Sequence, residues 1–138
     1  MSLNRFIEAQ KQDYEQALAE IKSGHKRSHW MWYIFPQIKG LGFSSTAQYY
    51  AVKDLEEAGA YMQNPLLRTH LLEISGALLK LDSCDPEAVM GYPDDMKLKS
   101  CMTLFEAVEP TESIFGKVLE KFFGGERDQR TLELMQRR

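Results

Sequence analysis

The stretch Ser28-His29-Trp30-Met31-Trp32-Tyr33-Ile34-Phe35-Pro36-Gln37, followed by Gly40-Leu41-Gly42, decides how the chain is read. It holds both tryptophans of the protein and two further aromatics. It is too short to span a bilayer, which takes about 20 apolar residues. As a helix from His29 to Phe35, capped by Ser28 and ended by Pro36, it would be apolar on every side and must be buried. The aromatics also suit a strand, but the helix is the preferred reading. His29 and Gln37 are costly to bury without partners, so the polar members of the stretch point to a pocket wall.

Outward from this stretch the chain reads as helices. Asn4 can cap a first helix running to about Ser23, with Phe6, Tyr14, Leu18 and Ile21 on one face and Gly24 as the stop. Ser44 or Ser45 can cap a helix carrying Ala47, Tyr49, Tyr50 and Val52. Asp54-Leu55-Glu56-Glu57 starts or continues a helical run to Met62. Asn64-Pro65 is an N-cap followed by proline at the first helical position. The long apolar face of Leu67, Leu71, Ile74 and Leu78 follows, with His70 read as a satisfied histidine at the core edge.

A short turn after Pro86 leads into a helix from about Asp95 to Val108. Its apolar face is Leu98, Cys101, Met102 and Phe105. Lys97 sits at the edge of that face, while Lys99 points away as a solvated lysine. Pro110-Thr111 is expected to open a helix through Phe122 and Phe123. Asp128 can cap a last one containing Leu132, Leu134 and Met135. Strand alternation is absent. The expectation is one all-α domain over residues 1–138, a bundle of six to eight helices around the buried aromatic segment.

Composition narrows the function classes. The 138 residues are 43% hydrophobic and 27% charged, with a net charge of −3. A mildly acidic chain argues against nucleic-acid binding, which draws on phosphate neutralisation. The basic cluster His25-Lys26-Arg27 reads as a solvated loop. Cys84 and Cys101 have no metal-ligand spacing, so they read as reduced thiols of a cytoplasmic protein without metal or cofactor. No signal-type or membrane segment is seen. A homo-oligomer is compatible with the sequence but not indicated by it.

The chemistry-bearing residues support two readings. In the first, a pocket takes a nucleotide-like or other small anionic ligand. Trp30, Trp32 and Tyr33 would stack on it, Gln37 would orient it, Lys97 would meet its charge and Ser100 would add a hydroxyl. His29 and Lys97 are the catalytic candidates should the pocket carry a reaction. This reading expects His29, Gln37 and Lys97 on one concave surface. In the second, the aromatic segment is core and the protein is a non-enzymatic interaction domain. No nucleophile elbow or paired-carboxylate motif appears, and Asp94-Asp95 is simply a helix start.

The motif from His29 to Gly42, together with Met96-Lys97-Leu98-Lys99-Ser100-Cys101-Met102-Thr103-Leu104-Phe105, Ala47-Gln48-Tyr49-Tyr50-Ala51 and Phe122-Phe123-Gly124-Gly125, resembles the bacterial family called domain of unknown function 1810. The resemblance runs from about Arg5 to Leu134 and implies a mainly helical domain with no established reaction. Some members carry a calpastatin-like label, which suits a disordered, repetitive inhibitor and not this composition. The family usually has Ser-Ser where this chain has Ser100-Cys101, which argues against Cys101 as a shared nucleophile. Ser45-Thr46-Ala47-Gln48-Tyr49-Tyr50-Ala51-Val52-Lys53 is also similar to the Ser-x-Glu-His-Tyr…Lys pattern of NADAR domains, which look like enzymes acting on ADP-ribose derivatives. Ala47 and Gln48 stand in place of its Glu and His, so only fold or pocket is implied.

Overall fold

In the computed structural model, which describes residues 3–136, local signals in the chain set most element boundaries. The helices are α1 (Asn4–Lys22), α2 (Met31–Ile34), α3 (Ser45–Tyr50), α4 (Leu55–Gln63), α5 (Pro65–Leu79), α6 (Pro86–Met90), α7 (Asp94–Val108), α8 (Ile114–Phe123) and α9 (Gln129–Gln136). Among the described residues there is no strand, and the one β-type pairing is a parallel bridge between Ile38 and Val52. The fold is all-α.

The caps explain the starts. The hydroxyl of Ser44 accepts from Ala47 N at 3.1 Å, and Asp54 accepts from Glu57 N at 2.9 Å. Asn64 accepts from the backbone of Leu66 and Leu67, with Pro65 opening α5. Asp128 accepts from Thr131 N at 2.9 Å and starts α9. Each such cap supplies about 1 kcal/mol by satisfying an otherwise orphaned amide.

Several boundaries differ from the sequence reading, each for a physical reason. Asn4 does not cap α1 but is its first residue, and Leu3 before it supplies no side-chain cap. Ser28 does not cap α2, because its hydroxyl donates to Glu20 at 2.6 Å, and the helix shrinks to one turn. Four residues cannot hold a helix by propensity. Burial of Met31 and Ile34, with Trp30 and Phe35 at its ends, holds this one. Val52 leaves the helix expected for it, since its N–H donates to Gln37 O at 2.8 Å across the bridge. Helix α8 opens at Ile114 rather than at Pro110-Thr111, where Ser113 accepts from Phe115 N. It ends at Gly124, whose φ of 62° is left-handed.

One hydrophobic core runs through all of these elements. Helix α5 packs between α1, α4 and α8, and α7 packs on α4, α6, α8 and α9. Phe6, Tyr61, Phe105 and Phe115 form an edge-and-tilt aromatic chain through it. Cys101 is buried at 0% exposure and burial pushes its thiol pKa up, so it is a packing residue here. His70 is stacked on Tyr14 at 3.6 Å, with its Nδ1 2.8 Å from Gln10 Oε1.

Candidate functional site

The segment after α2 is fixed from its backbone. Val52 N donates to Gln37 O, and Lys39 N donates to Val52 O at 2.7 Å, so the chain is clamped on both sides of Ile38. This holds Gln37 and Leu41-Gly42 opposite the first turn of α7. Between them lies a cleft of about 190 Å³ lined by Trp32, Gln37, Leu41, Gly42, Pro93, Met96, Lys97 and Ser100. Gly42 must be glycine there. A Cβ on it would stand 2.6 Å from the Ala47 Cβ and 3.1 Å from the Trp32 ring. The Tyr92–Pro93 peptide beside the cleft is cis.

Four of the sequence-predicted residues therefore share one cleft: Trp32, Gln37, Lys97 and Ser100. Lys97 lays its ammonium 4.1 Å over the Trp32 ring and 3.1 Å from Asp94 Oδ1. The other Asp94 oxygen takes Lys26 at 2.8 Å, and Lys26 in turn lies 4.9 Å over the Trp30 ring. One carboxylate thus joins two lysines, each resting on one of the two tryptophans. Burial works to raise the Asp94 pKa, but the hydrogen bonds and charges of Lys26 and Lys97 prevail and hold it below the usual range. The Ser100 hydroxyl has Met96 O at 3.1 Å and Asp128 Oδ2 at 3.2 Å as acceptors.

Gln37 is 6% exposed, and its amide nitrogen has no hydrogen-bond partner among the described residues. An unmet buried amide costs about 1–3 kcal/mol. Beside it, on the Ala47 side of Trp32, lies a void of about 10 Å³. Asp95 Oδ1, buried in the first turn of α7, is likewise without a partner there.

Three predicted site residues lie elsewhere, and the expectation that His29 would join Gln37 and Lys97 is corrected. His29 is exposed and is not part of the cleft wall, because it precedes the single turn that carries Trp32 inward. Trp30 is 1% exposed core, with its indole N–H donating to Glu20 Oε1 at 2.9 Å. Tyr33 faces a separate shallow hollow with Asp13, Tyr49 and Tyr50, and its hydroxyl donates to Asp13. Burial and that carboxylate push the Tyr33 pKa well up.

Two lysines were also misplaced by the sequence reading. Lys26 is not solvated: its side chain is 6% exposed and paired with Asp94. Lys99 does not reach open solvent but lies against Glu126 at 3.0 Å and over the Phe123 ring. Helical phase gave the direction of Lys99 and loop composition the reading of Lys26, and the distant acid that covers each left no local signal.

Glu20 anchors the other side of the motif. It is 7% exposed and accepts from Arg27 N, Ser28 N, Ser28 Oγ, Trp30 Nε1 and Gln16 Nε2 at 2.6–3.0 Å. Burial acts to raise its pKa, yet the hydrogen bonds from Ser28, Arg27 and Trp30 bring it down to about 2.

Among the described residues, no helix is long and apolar enough to cross a membrane. Comparison with curated proteins finds no match. The crystal structure of the conserved hypothetical protein Rv1873 from Mycobacterium tuberculosis is similar at 41% identity and a TM-score of 0.95, over 99% of this chain and 97% of that one. It shares the all-helical fold described above. The family model described as protein of unknown function DUF1810 matches residues 1–135, and the chain belongs to that family.

Proposed function

We propose that the protein binds a small anionic ligand in the cleft between Gln37–Gly42 and the start of α7. The observation that carries this reading is Gln37. An amide nitrogen buried without a partner is a standing cost, and the residue that carries it lines the cleft together with Lys97. A ligand oxygen would relieve the first and neutralise the second. Trp32, Leu41 and Met96 supply the apolar surface that excludes water from such a contact. Binding rather than catalysis is proposed, since Lys97 is the ionisable side chain of the lining and it is engaged by Asp94.

The test is a thermal-shift screen of the full chain with AMP, ADP-ribose, inorganic phosphate and simple carboxylates. A ligand at about 100 times its Kd raises stability by roughly 2.7 kcal/mol. The expected result is a hit that disappears in Lys97→Ala and Gln37→Ala, both shown to be folded. A hit that survives both substitutions overturns the site, and no hit at all overturns the reading.

A second reading, an interaction domain without a small ligand, draws on Trp30, which is pure core. It predicts that partner binding survives Gln37→Ala and Lys97→Ala.

A further inference from the structure

Which anion the cleft takes is written in its charges. Resting on the ligand-site reading above, we propose that the ligand is a monocarboxylate carried on a planar apolar body, and not a phosphorylated nucleotide. Lys26 and Lys97 both contact Asp94, so the three groups leave one positive charge. Asp95, in the same first turn of α7, cancels that charge, and Asp128, 3.2 Å from the Ser100 hydroxyl, adds a further negative one. A polyphosphate would bring several negative charges to a neighbourhood with no positive excess.

The backbone agrees. Phosphate sites at helix starts use free amides of the first turn. In α7 three of those amides are taken: Asp95 N donates to Gly91 O at 2.8 Å, and Met96 N and Lys97 N donate to Pro93 O at 3.0 and 3.3 Å. The lining keeps three side-chain N–H donors, the Lys97 ammonium, the Gln37 amide and the Trp32 indole, and a carboxylate, which only accepts, suits such a wall.

The rest of the surface is apolar. Trp32, Leu41, Pro93 and Met96 line the cleft. Phe43 is 82% and Tyr92 74% exposed, and each is the chain neighbour of a lining residue, Gly42 and Pro93. Large exposed aromatics next in the chain to lining residues are apolar surface open to a bound molecule. The cleft's volume of about 190 Å³ suits a carboxylate and part of a ring. Pockets that enclose larger molecules run to roughly 300–1,000 Å³.

The experiment is a titration of the full chain with phenylacetate, followed by tryptophan fluorescence and by calorimetry, alongside AMP, inorganic phosphate and the neutral phenylacetamide. Saturable phenylacetate binding is expected. It should weaken about tenfold or more in Lys97→Met and in Gln37→Met, and severalfold in a Phe43→Ser/Tyr92→Ser pair. The exposed pair keeps the test readable should the cleft variants fold poorly. Equal binding of phenylacetamide, or phenylacetate binding unaffected by these substitutions, overturns the proposal. AMP or phosphate binding that depends on Lys97, without phenylacetate binding, also overturns it while the anion-site reading stands. If none of the anions binds, both fail.

Discussion

Trp30 and Trp32 are two residues apart and meet opposite fates. Trp30 belongs to a region where every polar atom is answered. Its indole N–H goes to Glu20, and Glu20 collects four further donors from Gln16, Arg27 and Ser28. Trp32 belongs to a region where the answers stop short: the neighbouring Gln37 amide nitrogen is buried without a partner. Asp94 connects the two through Lys26 on Trp30 and Lys97 on Trp32. Complete satisfaction is what a structural cluster needs, whereas incomplete satisfaction is costly and marks the place where something outside the chain is expected.

The comparison predicts that the largest loss comes from the satisfied side. Glu20→Ala strips five donors of their acceptor and should cost about 3 kcal/mol, lowering Tm by roughly 10 °C. Calorimetric unfolding measures it, and a loss below about 1 kcal/mol would mean that the cluster is replaceable by water. The same residue sets an acid limb. Its folded pKa is about 2, below the ordinary glutamate value of about 4.3. The stabilisation is therefore fully present above pH 4.3 or so and is lost as the pH falls toward 2. Glu20→Gln should flatten that limb in urea titrations between pH 5 and 2.

Next in size is the tryptophan pair itself. Trp30→Phe leaves a gap in the core and an acceptor short of one donor, at about 2 kcal/mol. Trp32→Phe, on a half-open wall beneath Lys97, should cost under about 1 kcal/mol. Equal losses in denaturant unfolding would erase the distinction between the two regions.

Much of the helical frame was legible in the sequence, and the parts that were not share one cause. Local rules read well: Asn64-Pro65, Asp54 and Ser44 are caps in the structure, and the apolar stripes of α5, α7 and α8 are core. The reading failed where a distant group competes. Glu20 takes the Ser28 hydroxyl and shortens α2, and Ile38 takes Val52 out of α3. Asp94 and Glu126 cover Lys26 and Lys99. For the cleft, the residue types were visible, but their sorting was not. The single turn of α2 and the two residues before it send His29, Trp30, Trp32 and Tyr33 in different directions, and only the tertiary structure says which direction meets α7. The role of Asp94 as the link between two lysines left no trace at sequence level.

Gly42→Ala acts on the cleft side alone. The added methyl would stand 2.6 Å from the Ala47 Cβ and 3.1 Å from Trp32, so Trp32 or α3 must shift. Overpacking of this kind costs about 1–3 kcal/mol, because the closest contact, the Ala47 Cβ, is fixed to α3 and cannot swing aside. Tryptophan fluorescence separates the outcomes. The Trp32 contribution should change while that of Trp30, fixed by Glu20, stays constant.

The smallest effect on stability is the most informative. Gln37→Met keeps the length of the side chain and removes the unmet amide. If the Gln37 region is incomplete in the sense drawn above, the substitution relieves a cost, and the unliganded protein should be unchanged or more stable by up to about 1 kcal/mol. That result, read from urea unfolding, would be the reverse of Glu20→Ala, since the same chemistry of removing a buried polar group would have opposite signs on the two sides of Asp94. A loss of more than about 1 kcal/mol would instead mean that the amide is held by an ordered water in the adjoining void of about 10 Å³. Gln37 would then be a second structural cluster like Glu20, and its lone amide would no longer argue for a ligand.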